Sequence, residues 1–157
     1  MPKIATDLYR AIKEGSFDTS FIVDGEAVDG LLHPRFHDTS YINASGEERT
    51  SSADVILYND AVTKEEMVKT GGGTSMFDVS GWFGPESWEY FHVPKGTEYS
   101  EGLNIVKGKS NRRNRNKTLR GRHYQIEPKN PMTVDAYKGA LNNFARAAVA
   151  KQVENAK

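Results

Sequence analysis

The sequence predicts one α+β domain, mostly short strands with a C-terminal helix packed across them. Three observations lead there. The 157 residues suffice for one well-buried core and are too few for two. Short apolar and alternating stretches, separated by Gly-, Asp- and Ser-rich text, recur through the first 127 residues. Near the C-terminus, Val134, Tyr137, Leu141, Phe144 and Ala148 follow a 3-4-3-4 spacing, one apolar stripe with a polar back.

The elements follow in order. Leu8-Tyr9-Arg10-Ala11-Ile12 alternates after Asp7 and suits a half-buried first strand, with a helix of one or two turns as the competing assignment. From Gly15 to Gly46 the text reads as loops with small strands or turns, anchored by Phe21-Ile22-Val23 and Leu31-Leu32. Ala53 to Tyr58 is a strand candidate with Ile56 and Tyr58 on one face. Thr63 followed by Glu66 predicts the start of a short helix. Gly71-Gly72-Gly73 ends any regular element before Thr74. The aromatic stretch Trp82, Phe83, Trp88, Tyr90 and Phe91, broken by Gly84-Pro85, reads as a hairpin delivering core and pocket walls. Pro94 to Thr97 is a turn and Leu103 to Val106 a strand. The last strand holds Tyr124 and Ile126 on one face and His123, Gln125 and Glu127 on the other, and Pro128 and Pro131 stop it. Thr133 then caps the helix, with Asp135 in its first turn.

Composition narrows the function. With 37% hydrophobic and 27% charged residues, the chain falls near globular averages rather than among disordered ones. Zero cysteine excludes a disulfide framework, thiolate metal ligation and a cysteine nucleophile. No apolar run approaches the ~20 residues of a membrane helix. The start, Met1-Pro2-Lys3-Ile4, lacks the basic-then-apolar order of a signal peptide, so a cytoplasmic protein with no membrane partner is expected. The neutral total hides an asymmetry: residues 1–70 carry seven Lys/Arg against thirteen Asp/Glu, and residues 71–157 fourteen against eight. Lys107, Lys109, Arg112, Arg113, Arg115, Lys117, Arg120 and Arg122 lie in one acid-free segment, which reads as a mobile basic loop over about 107–121. Its density also suits a polyanion, so a nucleic-acid-binding module is one functional reading.

Few residues stand out as chemistry. His33, His37, His92 and His123 show no HExxH or Cys/His spacing, and no metal site is predicted. His33, before Pro34, could cap a turn. The polar face of His123 and Gln125 is either solvent-exposed or lines a polar cleft. Arg10, in an otherwise apolar strand, either pairs with Asp7 or Glu14 or forks onto a phosphate or ribose. Gly71-Gly72-Gly73-Thr74-Ser75 lacks the P-loop and dinucleotide-fold orders. It offers close backbone approach and then two hydroxyls, one on each side of a strand.

Seven pieces in order resemble one family: Leu8-Tyr9-Arg10-Ala11; Leu31-Leu32-His33-Pro34-x-Phe36; Ala53-Asp54-Val55-Ile56; Gly73-Thr74-Ser75-x-Phe77-Asp78; Val93-Pro94-x-Gly96-Thr97; His123-Tyr124-x-Ile126-x-Pro128-x-x-Pro131-Met132; and Leu141-x-Asn143-Phe144. The match, from about residue 7 to about 152, is to the cytostatic NAD-dependent toxins of the bacterial type VI secretion system, which are similar in fold to mono-ADP-ribosyltransferases. The resemblance implies a single toxin domain over 1–157 with a split, bent antiparallel or mixed sheet gripping NAD. It implies a transferase of the glycosyl-transfer type that uses NAD as substrate, without metal, and arrests growth through a cytoplasmic acceptor, protein or nucleic acid. An immunity protein is the implied partner. Arg10, Thr74, Ser75 and His123 carry over as catalytic residues, with Gln125, two positions beyond His123, as a further catalytic candidate. The candidates to bind NAD are Tyr9, Arg10, Ser75 and Trp82, with Tyr9 and the aromatics from Trp82 to Tyr90 as surfaces for nicotinamide. The late-strand glutamate of the wider transferases has no clear counterpart, Gln125 and Glu127 being the nearest positions. A catalytically inactive binding domain of the same fold is therefore a further alternative.

Overall fold

The computed structural model describes residues 1–108 and 121–157. Five antiparallel strands form the main sheet: β1 (Leu8–Lys13), β8 (Thr74–Phe77), β9 (Trp88–Val93), β10 (Leu103–Lys107) and β11 (His123–Pro128), in the order β10-β11-β8-β1-β9. Two small hairpins, β2 (Ile22–Val23) with β3 (Glu26–Ala27), which buries Ala27 in the core, and the largely exposed β4 (Thr39–Ile42) with β5 (Glu48–Ser51), follow β1. A smaller sheet joins β6 (Leu57–Asn59), β7 (Glu66–Val68) and β12 (Met132–Thr133). The helix α1 (Val134–Asn155) closes the chain.

Alternation in the main sheet divides its residues between two clusters. Leu8 and Ile12 of β1, Met76 of β8, Phe91 and Val93 of β9 and Ile126 of β11 pack with Tyr137, Leu141, Phe144, Ala148 and Val149 of α1. Ala11 and Phe77 point the other way, against Trp82. The Thr133 hydroxyl accepts the Ala136 N–H at 3.0 Å, which satisfies one of the unpaired donors at the helix start. The glycines before β8 are required by contact. A Cβ on Gly73 would lie 1.9 Å from the Ile126 carbonyl oxygen, and one on Gly72 would lie 2.4 Å from that of Asp54.

Three expected elements differ. No helix starts at Thr63. The Asp60 carboxylate accepts the N–H groups of Val62 and Thr63, and Lys64 at φ +65° completes the turn of the β6–β7 hairpin. An Asx turn has the same polar signature as a helix cap. The aromatic stretch is not a hairpin: Trp82 and Phe83 sit in a turn, and β9 pairs with the distant β1 over six residues. Of Ala53 to Tyr58 only the end is strand. Ala53 and Asp54 spend their N–H groups on the Asp38 carboxylate and the Arg35 carbonyl. Of the basic run, only Lys107 and Arg122 fall within the described residues; the other six, and with them most of the predicted loop, lie outside.

Candidate functional site

The site grows out of one pairing. β1 runs beside β9 through six registered pairs, from Leu8 opposite Val93 to Lys13 opposite Trp88. With β8 it shares one, Tyr9 opposite Phe77. Beyond that pair, a cleft of about 440 Å³ is lined by Arg10 to Lys13 on one side and by Ser75, Phe77 and His123 on the other. His33, Arg35, Asp54, Phe83 and Trp88 complete its walls. The volume falls in the range of small-molecule sites.

Arg10 bridges this gap. Its Nη1 donates to the Ser75 carbonyl and its Nη2 to the His33 carbonyl, both at 3.0 Å. Its Nε is buried with no hydrogen-bond partner among the described residues. Burial lowers its pKa, and the attraction of Asp54 is the largest influence in the other direction. The guanidinium therefore takes neither an acidic neighbour in sequence nor an open surface position. It fastens β1 to β8 where direct pairing has stopped, and it still lines the cleft.

Thr74 and Ser75 divide as alternation requires. Ser75 lines the cleft. Thr74 is fully buried on the helix side and donates to the Leu32 carbonyl at 2.6 Å. Its hydroxyl is spent inside the core rather than presented to the cleft. His123, opposite Phe77 in the β8–β11 register, is only 6% exposed. Its ring lies 5.5 Å from that of Phe77 and lines the cleft. Of the two readings of its strand face, the cleft is the one observed here. Gln125, opposite Ser75, is not a lining residue; its amide nitrogen donates to the Gly71 carbonyl and to the Glu127 carboxylate.

Among the aromatics, Trp82 is buried and stacked on Phe77 at 4.4 Å, so it offers no face to a ligand. Phe83 and Trp88, stacked at 4.7 Å, are the rings of that stretch that line the cleft. The Tyr90 hydroxyl holds their loop by accepting the Phe83 N–H and donating to the Gly84 carbonyl. Tyr9 stacks on His92 at 4.8 Å, away from the cleft lining.

Lys13, His33, Arg35 and Asp54 line the cleft without having been singled out by the sequence as site residues, and His33 and Asp54 have defined partners. His33 presents Nε2 to the Asn142 amide oxygen at 2.9 Å, and that oxygen also accepts the Gly30 N–H. Nε2 is therefore the donor, and Nδ1 keeps its lone pair. Burial lowers the ring's pKa and favours this neutral form. Asp54 accepts the Arg35 N–H at 2.7 Å. His33 and Asp54 stood in segments quoted for their resemblance, and only contact across the fold brings them to one cleft.

The cleft thus combines three cationic side chains, Arg10, Lys13 and Arg35, with one carboxylate, two imidazoles, the hydroxyls of Ser16 and Ser75, and stacked rings. A profile of the Tse2 ADP-ribosyltransferase toxin family matches residues 5–153. The chain belongs to the Tse2 ADP-ribosyltransferase toxin family. It is also 28% identical to Toxin Tse2 of Pseudomonas aeruginosa over 164 aligned residues, covering 99% of this chain and 95% of that toxin. Membership makes the chain an NAD-using transferase toxin and decides between the readings of the sequence in favour of the enzyme. The donor set fits the Tse2-family substrate: cations for a pyrophosphate, rings for a heterocycle and hydrogen-bonding groups for ribose. Among the described residues, no group of three His, Asp or Glu side chains is arranged to hold a metal ion, and no helix is long and apolar enough to cross a membrane.

Proposed function

We propose that this Tse2-family chain arrests growth by transferring ADP-ribose from NAD to a cytoplasmic macromolecule, with NAD held where β1 and β8 part. The observation that carries the reading is the convergence of Arg10, Ser75 and His123 on one cleft with a surplus of positive side chains. We read the parting of β1 and β8 as the split of an ADP-ribosyltransferase-like sheet, a reading supported by their single registered pair, and one that would give NAD walls from both halves.

The chemistry follows from these groups. Breaking the nicotinamide–ribose bond requires NAD to be oriented, its phosphates neutralised and the positive charge developing on the sugar stabilised. Lys13 and Arg35 face the phosphates. Arg10 sets the width of the cleft and adds its charge from below. Phe83 and Trp88 stack on a ring of the dinucleotide. Ser75 and His123 hydrogen-bond the nicotinamide ribose, and His123 helps deprotonate the acceptor. An immunity protein of the producing cell acts most directly by covering this opening.

Incubating the purified chain with NAD labelled in the adenylate half, with and without a cell lysate, tests the reading. Label should move to a macromolecule in the wild type and not in His123→Ala or Ser75→Ala variants that remain folded. Expression of the wild type should halt growth, and the same variants should restore it. Unlabelled macromolecules and intact NAD with a fully toxic wild type would overturn the proposal.

A further inference from the structure

The proposed reaction breaks the bond between ribose C1′ and the nicotinamide nitrogen. The electron pair leaves with nicotinamide, positive charge spreads over C1′ and the ring oxygen, and the acceptor then bonds to C1′ and releases its proton. A fixed negative charge beside that sugar lowers the barrier most, because it interacts more strongly with the transition state than with the ground state. The late-strand position nearest the expected glutamate is Gln125, which carries no charge, and Glu127 beside it is occupied by the Gln125 amide. Among the described residues that line the cleft, one carboxylate is present, that of Asp54.

We propose that Asp54 is a catalytic residue of this site, its carboxylate stabilising the positive charge that develops on the ribose. The proposal rests on the reading of the cleft as the NAD site. The geometry is that of a preorganised group. Asp54 Oδ2 accepts the Arg35 main-chain N–H at 2.7 Å while the Asp54 N–H donates to the Arg35 carbonyl at 2.8 Å. This reciprocal pair locks the carboxylate in place with one oxygen. The other, Oδ1, lies 3.9 Å from Arg35 Nη1, which instead donates to the Ser52 carbonyl at 2.9 Å. The Asp54 side chain is 29% exposed, so it is not sealed inside the core. Gly72 packs directly on the Asp54 carbonyl, which ties the position of this carboxylate to β8 and hence to Ser75. The Asp54 charge also reaches Arg10 across the cleft. The proposed contribution of Asp54 is electrostatic and requires no proton transfer.

Asp54→Asn tests this, because the amide oxygen can still accept the Arg35 N–H and only the charge is lost. Nicotinamide release from NAD should fall by about 10²–10³-fold, with NAD affinity within about threefold of wild type and the melting temperature little changed. Wild-type turnover in the Asn variant would overturn the role of Asp54, as would loss of NAD binding with the fold intact. If Asp54→Asn folds poorly, Asp54→Glu and Asp54→Gln separate charge from shape: activity in Glu alone supports the proposal, and equal activities overturn it. A wild-type chain that never releases nicotinamide would instead overturn the reading of the cleft itself.

Discussion

The guanidinium of Arg10 donates to the main-chain carbonyl of Ser75 across a strand pair that has otherwise separated. A side chain thus replaces a rung of the sheet ladder. Arg10→Lys keeps the charge but cannot span the Ser75 and His33 carbonyls together. Hydrogen bonds to charged groups contribute about 1.5–3 kcal/mol each. Loss of one should lower stability to urea by about that much and weaken NAD binding, and Arg10→Met should cost more. A lysine variant of wild-type stability and affinity would contradict the bridging role.

Thr74 and Ser75 should separate stability from activity. Thr74→Val leaves the buried Leu32 carbonyl without its donor and should cost about 1–3 kcal/mol, while the protein that still folds turns over NAD normally. Ser75→Ala should do the opposite, with an unchanged urea midpoint and little nicotinamide release. Paired denaturation and turnover measurements on both variants decide this.

Gly73→Ala should be among the most damaging small substitutions. Its Cβ would meet the Ile126 carbonyl, and backbone has little freedom to move aside. A loss at or beyond the top of the ~1–3 kcal/mol range for overpacking is expected, read from thermal unfolding. Gly139, with nothing within 4 Å of its added Cβ, is the control, and Gly139→Ala should leave stability equal or higher.

Acid should destabilise the chain partly through His33. Its folded pKa lies below the ordinary value of 6.5, so the unfolded chain binds the proton more readily. The resulting stability is complete above about pH 6.5 and is lost as pH falls through the folded pKa. Urea midpoints measured from pH 7.5 down to 5 should fall, and the fall should be shallower in His33→Gln. Equal slopes in the two proteins would remove His33 from the account.

Local patterns were legible where local forces decide. The Thr133 cap and the stripe Val134, Tyr137, Leu141, Phe144 and Ala148 lie on the helix as read, because cap and stripe are set within a few turns. The alternation of His123 and Tyr124 was equally legible, although burial of the polar face was not. Non-local pairing hid the rest. Nothing near Trp88 says that its strand lies beside residues 8–13, so the aromatic stretch looked like a self-contained hairpin. Trp82 and Phe83 are neighbours of equal promise in sequence, yet the turn buries one ring and gives the other to the cleft. Asp54 stood in a segment that read as a strand. Its bonds to Arg35 instead hold a loop that lines a cleft shared with residues far away on both sides in sequence, such as Arg10, Ser75 and His123.

The solitary Tyr9–Phe77 rung has a mechanical consequence. A sheet joined at its middle by one registered pair and an arginine tether is divided into two panels, one of β1 and β9 and one of β8, β11 and β10. Partial unfolding by separation along that line needs far fewer ruptured bonds than peeling either panel apart. Amide protons of Ala11 and Met76 should consequently exchange with deuterium sooner than those deep in β9 or β11. A dinucleotide gripping both panels would act as a rivet and slow that exchange on each side at once.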